Sequence, residues 1–320
     1  MNRKFSLHYF KTVLPALSLL ILVGCTSAKN QANHGIFTNK KGEKKYIAAY
    51  NATLKKWPVP YVERDILTTY GTAHVIISGP ANGEPLVLFH GMDASSTMWY
   101  PNIKDYSKTY RVYAIDYLLE AGKSVLKDKR PNTDEVVIWY TEVLDALKLD
   151  KVNLIGTSRG GWLATKFAVT KPERVKKLAL LSPVQVFGLM EMNSKMRKAV
   201  NFKFFPNRKR LKKVVDALSY RPEKVDVVFR EQLYLGTQYS KTSFDMLEMS
   251  PFKDDVKLLT MPVLVLVGDH DVLCGPDILK EATEKVPNIT TGIIQEAGHF
   301  LTIDQKEDVD KRVLEFLAAK

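Results

Sequence analysis

Cysteine is nearly missing from this chain, with Cys25 and Cys274 its two examples in 320 residues. That excludes a disulfide framework and any zinc-type Cys/His spacing, so stability has to come from a packed core. There is no glycine-rich phosphate loop, no internal repeat and no nucleic-acid recognition motif. No apolar run approaches the roughly 20 residues a membrane-crossing helix needs. Acidic residues are the minority charge, 35 against 47 Lys plus Arg, for a net +12. That balance favours contact with anionic surfaces and says nothing about fold. What remains is a chain 45% apolar with an ordinary 26% of charged residues, enough for one large core.

The N-terminus is organised differently. Arg3, Lys4 and Lys11 form a positive region, and "VLPALSLLILV" (13–23) follows as a short apolar segment containing a proline. This is the layout of a secretion signal. Its end, "LVGC" (22–25), resembles the lipobox of bacterial lipoproteins. That resemblance implies cleavage before Cys25, lipidation of Cys25, and a domain tethered to the extracytoplasmic face of a bacterial cell membrane. Two acyl chains hold a protein stably where one does not, so a diacylglyceryl group on Cys25 suffices. The polar stretch 26–45 is expected to be a flexible tether, within a lipidated N-terminus and tether spanning 25–60.

Beyond residue 60, strand and helix patterns alternate. Short apolar runs at 84–91, 110–116, 151–156, 174–183 and 261–269 predict strands buried on both faces, the mark of a parallel sheet. Two further strands with a turn at Gly71 are expected over 65–79, and another over 289–297. Helices are expected at 133–149, with Thr133 and Asp134 as cap, and at 160–172, 276–286 and 305–320. The expected fold is α/β: a mostly parallel, doubly wound sheet over 61–184 and 251–320. Residues 185–250 separate two strands by more than a crossover needs. They are helical in composition and are expected to form an inserted cap over the carboxyl ends of the strands, where open α/β sheets bind ligands.

"GTSRG" (156–160) is G-x-S-x-G between a strand and a helix. In isolation Ser158 could be a helix N-cap. It could instead be a nucleophile on a strained turn, with Gly156 and Gly160 there because side chains would collide. A serine nucleophile needs a base, and the base an orienting acid. "QEAGHF" offers His299 after the last strand, and "GDHD" offers Asp271, with Asp269 as rival. "LFHGMD" places His90 and Gly91 at the end of an early strand.

These motifs, in the order Ser, Asp, His, resemble the α/β-hydrolase family from about Asp65 to the C-terminus. The resemblance implies Ser158 as nucleophile, His299 as base then acid, and Asp271 as orienting carboxylate. It implies an oxyanion hole from the Met92 and Arg159 backbone amides, with His90 structural. It needs no metal or organic cofactor, and its substrate is a small molecule with an ester-like bond. Lactonases and carbon–carbon bond hydrolases of the fold keep the serine as well. A silent surface binding lipoprotein is the alternative from outside the enzymes. His90, Asp93 and Asp116 fit no metal spacing, and Cys274 is expected to be a packing residue. The Arg159 side chain has two readings, a contact to an anionic substrate group or a salt bridge beneath the cap.

Between Lys195 and Arg221 there are ten Lys/Arg and one acid, Asp216. Such a run has three readings: a solvated helical face, a surface laid against the anionic membrane, or recruitment of an anionic or amphiphilic substrate.

Overall fold

The computed structural model describes residues 35–190, 193–241 and 249–319. The signal segment, Cys25 and the first part of the expected tether lie outside the described residues, as do short pieces of the cap region.

The apolar runs form strands because both of their faces are covered. In β3 (Glu84–Phe89), Val87 and Phe89 enter one core while Leu86 and Leu88 enter the other. In β8 (Val263–Gly268), Val263, Val265 and Val267 alternate in the same way with Leu264 and Leu266. Side chains alternate across a strand, so a strand buried on both sides must be apolar at every position. The remaining strands are β1 (Tyr61–Thr68), β2 (Gly71–Ser78), β4 (Tyr110–Ile115), the short β5 (Val125–Leu126), β6 (Val152–Thr157), β7 (Val175–Leu181) and β9 (Ile289–Ile294). Their order is β1-β2-β4-β3-β6-β7-β8-β9, with β5 beside β2. All pairs from β4 to β9 are parallel, while β1 and β5 run antiparallel to β2, and β2 antiparallel to β4.

The helices are α1 (Lys40–Leu54), α2 (Ile103–Tyr106), α3 (Thr133–Ala146), α4 (Arg159–Thr170), α5 (Ser194–Phe204), α6 (Arg208–Leu218), α7 (Val227–Tyr239), α8 (Ile278–Lys285), α9 (Leu301–Asp304) and α10 (Lys306–Ala318). Aromatic side chains of α3 and α4 (Trp139, Tyr140, Phe167) fill one face of the sheet. Tyr46 and Tyr50 of α1 and Val309, Val313 and Leu317 of α10 fill the other. Among the described residues no helix is long and apolar enough to cross a membrane.

Two expectations need correction. The stretch 26–45 is not tether throughout, because α1 begins at Lys40, with the Asn39 side chain accepting from the Gly42 amide. This helix packs along α7, where a Cβ on Gly42 would sit 2.5 Å from the Tyr239 ring. Tyr46 and Tyr50 are buried, with the Tyr46 hydroxyl donating to the Ala121 carbonyl at 2.6 Å. Polar residues on the outer face of α1 hide its buried aromatic stripe from a composition count. The cap of α3 is Asn132 rather than Thr133 or Asp134. Its side chain accepts from Asp134 and Glu135 amides, and Glu135 returns the bond to the Asn132 amide, a capping box with Asn in the leading place.

The inserted segment folds as α5, α6 and α7. Their apolar faces (Phe202, Leu211, Val214, Val215, Leu218, Phe229, Leu233) form a third core with Ile303.

Candidate active site

β6 runs straight into α4 with no room for an ordinary turn. Ser158 takes up the bend at φ 52 and ψ −122, a conformation costing on the order of 1–3 kcal/mol for a residue with a Cβ. It does not act as an N-cap, since its side chain caps no amide. The close approach explains both glycines. A Cβ on Gly156 would lie 2.3 Å from the Gly160 carbonyl oxygen, and one on Gly160 2.4 Å from that of Phe89. Ser158 is fixed from both sides, its amide donating to Leu181 and its carbonyl accepting from Gly161, both at 2.9 Å.

The loop after β9 brings His299 to the serine, with Nε2 2.8 Å from Ser158 Oγ. Its Nδ1 lies 2.9 and 3.1 Å from the two carboxylate oxygens of Asp271. An ionised carboxylate can only accept, so the proton between them sits on Nδ1 and leaves Nε2 as the acceptor facing Ser158. Burial alone would raise the Asp271 carboxyl, but its attraction to the imidazolium form of His299, the hydrogen bond from that ring and the Leu273 amide hold it below its ordinary value.

Asp269, the rival acid, is elsewhere. Its carboxylate accepts from the Glu296 and Ala297 amides at 3.1 and 3.0 Å and shapes the loop that carries His299. His270 turns outward and stacks on Tyr220. Cys274 packs inside, its thiol donating to the Pro183 carbonyl, and burial pushes that thiol well up.

The loop after β3 is held beside the elbow. The His90 ring accepts the Tyr117 amide on Nε2 at 2.8 Å and donates from Nδ1 to the Gly91 carbonyl at 2.9 Å. Burial lowers its pKa to about 4, so the ring is a neutral brace. A Cβ on Gly91 would meet Ser158 Cβ at 3.4 Å, and Met92 follows at the cavity wall with Arg159 and Ser158. His90, Asp93 and Asp116 do not converge. Asp116 accepts from the Ser96 and Lys123 amides, and Asp93 is paired with Lys203 of α5. Among the described residues no cluster of three or more His, Cys, Asp or Glu could hold a metal ion. The Arg159 side chain turns away from the cavity to a buried salt bridge with Glu120, 2.7 Å from its Oε1, and stacks on the Tyr117 ring.

Ser158 and His299 open on a cavity of about 190 Å³ between the strand ends and the cap. Its walls are mostly apolar, among them Met190, Val200, Leu218, Phe229 and Ile303, with Asp93, Arg159 and Lys203 as charged residues in the lining.

Several organising residues carry no local motif. Buried Asp304 accepts from the Ser219 hydroxyl at the end of α6 and from the Tyr220 and Gly298 amides, both at 2.8 Å. It thus ties the loop of His299 to the cap. Gln232 of α7 bridges Ser95, Thr97 and Tyr46, linking the cap, the loop after β3 and α1. Glu120 (in "LLEAG") and Asp304 (in "LTIDQ") belong to no recognisable motif, and only their burial and partners single them out.

Known proteins share this fold. The alpha/beta hydrolase fold family matches residues 84–306, more than half of the chain. The uncharacterized carboxylesterase nap of Bacillus subtilis (strain 168) is 32% identical over 289 residues, covering 86% of this chain and 93% of that protein. Carboxylesterase YbfK of the same organism is 29% identical over 280 residues, covering 85% and 93%. The crystal structure of naproxen esterase (carboxylesterase NP) from Bacillus subtilis superposes with a TM-score of 0.81 at 31% identity, covering 90% of this chain and 100% of that one. With its mostly parallel sheet, its inserted helices and a serine on the turn between β6 and α4, the chain belongs to the α/β-hydrolase family and is a hydrolase.

Proposed function

We propose that this protein is a serine esterase that cleaves a carboxylic ester with an apolar acyl portion, through an acyl-enzyme. The observation that carries the reading is the line Ser158 Oγ, His299 and Asp271, joined at 2.8 and 2.9 Å on the floor of an apolar cavity. The carboxylesterase names of the relatives support an ester over other acyl bonds.

Ser158 Oγ attacks the ester carbonyl while His299 Nε2 takes its proton, and Asp271 stabilises the imidazolium that forms. The oxyanion is met by the amides of Met92 and Arg159. Arg159 opens α4, and the first amides of a helix point outward without an intrahelical acceptor. His299 returns the proton to the leaving alkoxide, and the alcohol departs. Water, deprotonated by the same nitrogen, then releases the acid and regenerates the serine. The bent backbone at Ser158 keeps Oγ at the tip, so little reorganisation precedes attack.

The second part of the reading is location. A lipidated Cys25 would hold the enzyme on the outer face of a bacterial membrane, and the "LVGC" sequence supports it. The outer face of α5 carries Arg197, Lys198 and Phe204, Phe205 follows at its end, and α6 adds Lys209, Lys212 and Lys213, all exposed. Cations with aromatic tips suit an anionic bilayer surface, each cation contributing about 1 kcal/mol. Replacing Lys209 and Lys213 by Gln should weaken binding to phosphatidylglycerol vesicles relative to phosphatidylcholine vesicles. An unchanged ratio would remove the cap from this part of the reading.

A fluorophosphonate probe tests the chemistry. Mass spectrometry should place the label on Ser158, and His299→Ala should abolish it. A folded protein that takes no label, or takes it elsewhere, would overturn the esterase reading.

A further inference from the structure

Methionine is concentrated where the reaction would hold its acyl group. Four of the nine methionines in the chain, Met92, Met98, Met190 and Met196, line the cavity. They differ in freedom. Met92 carries an amide of the oxyanion pocket in the reading above, and the Met98 thioether accepts the Gly91 amide at 3.4 Å. Met190 and Met196 belong to the roof, on either side of the start of α5. Met196 is buried and Met190 half-buried.

The helix between cavity and solvent is tied to the floor at both ends. Asn193 caps α5, its Oδ1 accepting from the Lys195 and Met196 amides at 3.0 and 2.9 Å. The Nδ2 of the same side chain donates at 2.7 Å to the carbonyl of Val272, the residue after Asp271. Near the far end of α5, Lys203 pairs with Asp93.

We infer that Met190 and Met196 are specificity residues that let the cavity reshape around acyl groups of unlike form, so that linear, branched and ring-bearing acyl esters are all substrates. The inference rests on the esterase reading and names the substrate class of that same site.

The physical case turns on what can move. A roof adapts by shifting its backbone or its side chains, and the ties of α5 oppose the first. Among the side chains, Val200 and Ile303 are β-branched and stiff at χ1 within a helix, and the Phe229 ring is planar. Methionine is unbranched and polarisable, turns about several bonds, and fills irregular gaps. It therefore keeps its dispersion contacts with ligands of different outline, contacts that a gap forfeits. Leucine has a similar volume but a branch, so Met→Leu conserves packing while removing the adaptability.

The test uses the full chain and p-nitrophenyl esters that share a leaving group and differ in the acyl part: linear hexanoyl, branched 2-ethylbutyryl and cyclic cyclohexanecarbonyl. For each, kcat/KM is divided by the alkaline hydrolysis rate of the free ester, and melting temperature reports folding. One methylene of misfit in a hydrophobic pocket is worth on the order of 10- to 200-fold. The wild type is expected to hold all three esters within about tenfold. Met190→Leu with Met196→Leu is expected to keep the best ester within about threefold of wild type and to lower the worst by about tenfold or more. Met261→Leu, at a buried core position apart from the cavity lining, should leave the wild-type spread. Should the double variant fail to fold, Met196→Leu alone carries the test with the same two outcomes.

A folded variant that keeps the wild-type spread overturns the inference. So does a wild type that exceeds its expected range, or a Met261→Leu protein whose spread widens as far as that of the cavity variant. Failure of the esterase reading looks different: no ester is cleaved and a fluorophosphonate leaves Ser158 unlabelled, and the inference falls with it. A labelled Ser158 with a narrow acyl range overturns this inference alone.

Discussion

At the strand ends the backbone fixes the site, whereas over the cavity side chains do. Ser158 is held by amide and carbonyl bonds to Leu181 and Gly161, and a Cβ on either glycine of the elbow would lie within 2.4 Å of a carbonyl oxygen. α5, α6 and α7 meet the cavity through Phe202, Leu218, Phe229 and their neighbours. Polar links from the cap to the core include Lys203 to Asp93, Gln232 to Ser95 and Thr97, Asp304 to Ser219 and Tyr220, and the Phe300 amide to the Leu218 carbonyl. Backbone-fixed geometry tolerates no substitution without strain, while an apolar wall tolerates repacking. The floor should therefore govern whether a bond is cleaved, and the roof which bond.

The sharpest break of this comparison lies in the floor. Ser158→Ala or His299→Ala should lower ester hydrolysis by about 10⁵- to 10⁶-fold, with melting temperature near that of the wild type. Asp271→Asn should cost about 10⁴-fold. Residual activity within tenfold of wild type in any of the three would detach the chemistry from this line of residues.

Gly160→Ala comes next. Its Cβ would lie 2.4 Å from the Phe89 carbonyl and 2.5 Å from that of His90, both backbone atoms that cannot step aside. Thermal denaturation should show a loss of about 1–3 kcal/mol, with kcat falling further because the elbow itself moves. A neutral outcome would mean the turn is looser than described.

Substitution in the roof should behave differently. Phe229→Leu trims the wall without touching the floor. Chain-length profiles should shift toward bulkier acyl groups by several-fold in KM, while kcat for a short ester stays within about threefold. An equal fall in kcat for every chain length would erase the distinction between floor and roof.

pH gives a smaller and directional effect. The Asp271 carboxyl is held below its ordinary value in the folded protein. Its stabilisation is therefore complete above the ordinary carboxylate pKa and is lost as pH falls through the lowered folded value. Melting temperature should drop on acidification in the wild type, and less steeply in Asp271→Asn. Parallel curves would mean that other carboxylates carry the acid sensitivity.

The smallest effect belongs to the rival acid. Asp269→Asn keeps an acceptor for one of the Glu296 and Ala297 amides, so it should cost about 1 kcal/mol of stability. Activity should stay within a few-fold, and a collapse matching that of Asp271→Asn would reopen the assignment.

Much of the floor is legible because its constraints are local. G-x-S-x-G between an apolar strand and a helix encodes the tight turn at the level of five residues, and "GDHD" and "AGHF" follow the next strands in chain order. The resemblance points to Asp271 within "GDHD", and the fold shows what each acid faces: Asp271 the His299 ring, Asp269 the Glu296 and Ala297 amides. The α1 helix was missed because its polar outer face dominates its composition, and Asn132 because the neighbouring Thr133 and Asp134 are equally good caps by residue type.

The sequence by itself determined the α/β class and the mostly parallel sheet, and it set Ser158, Asp271 and His299 after successive strands, because strand burial and tight turns leave marks within a few residues. Tertiary structure alone decided that Arg159 turns inward to Glu120, that Asp304 and Gln232 tie roof to floor, and that the cavity is apolar. Those facts depend on which distant segments meet, and burial of a lone charge or the wall of a cavity has no period and no spacing to read.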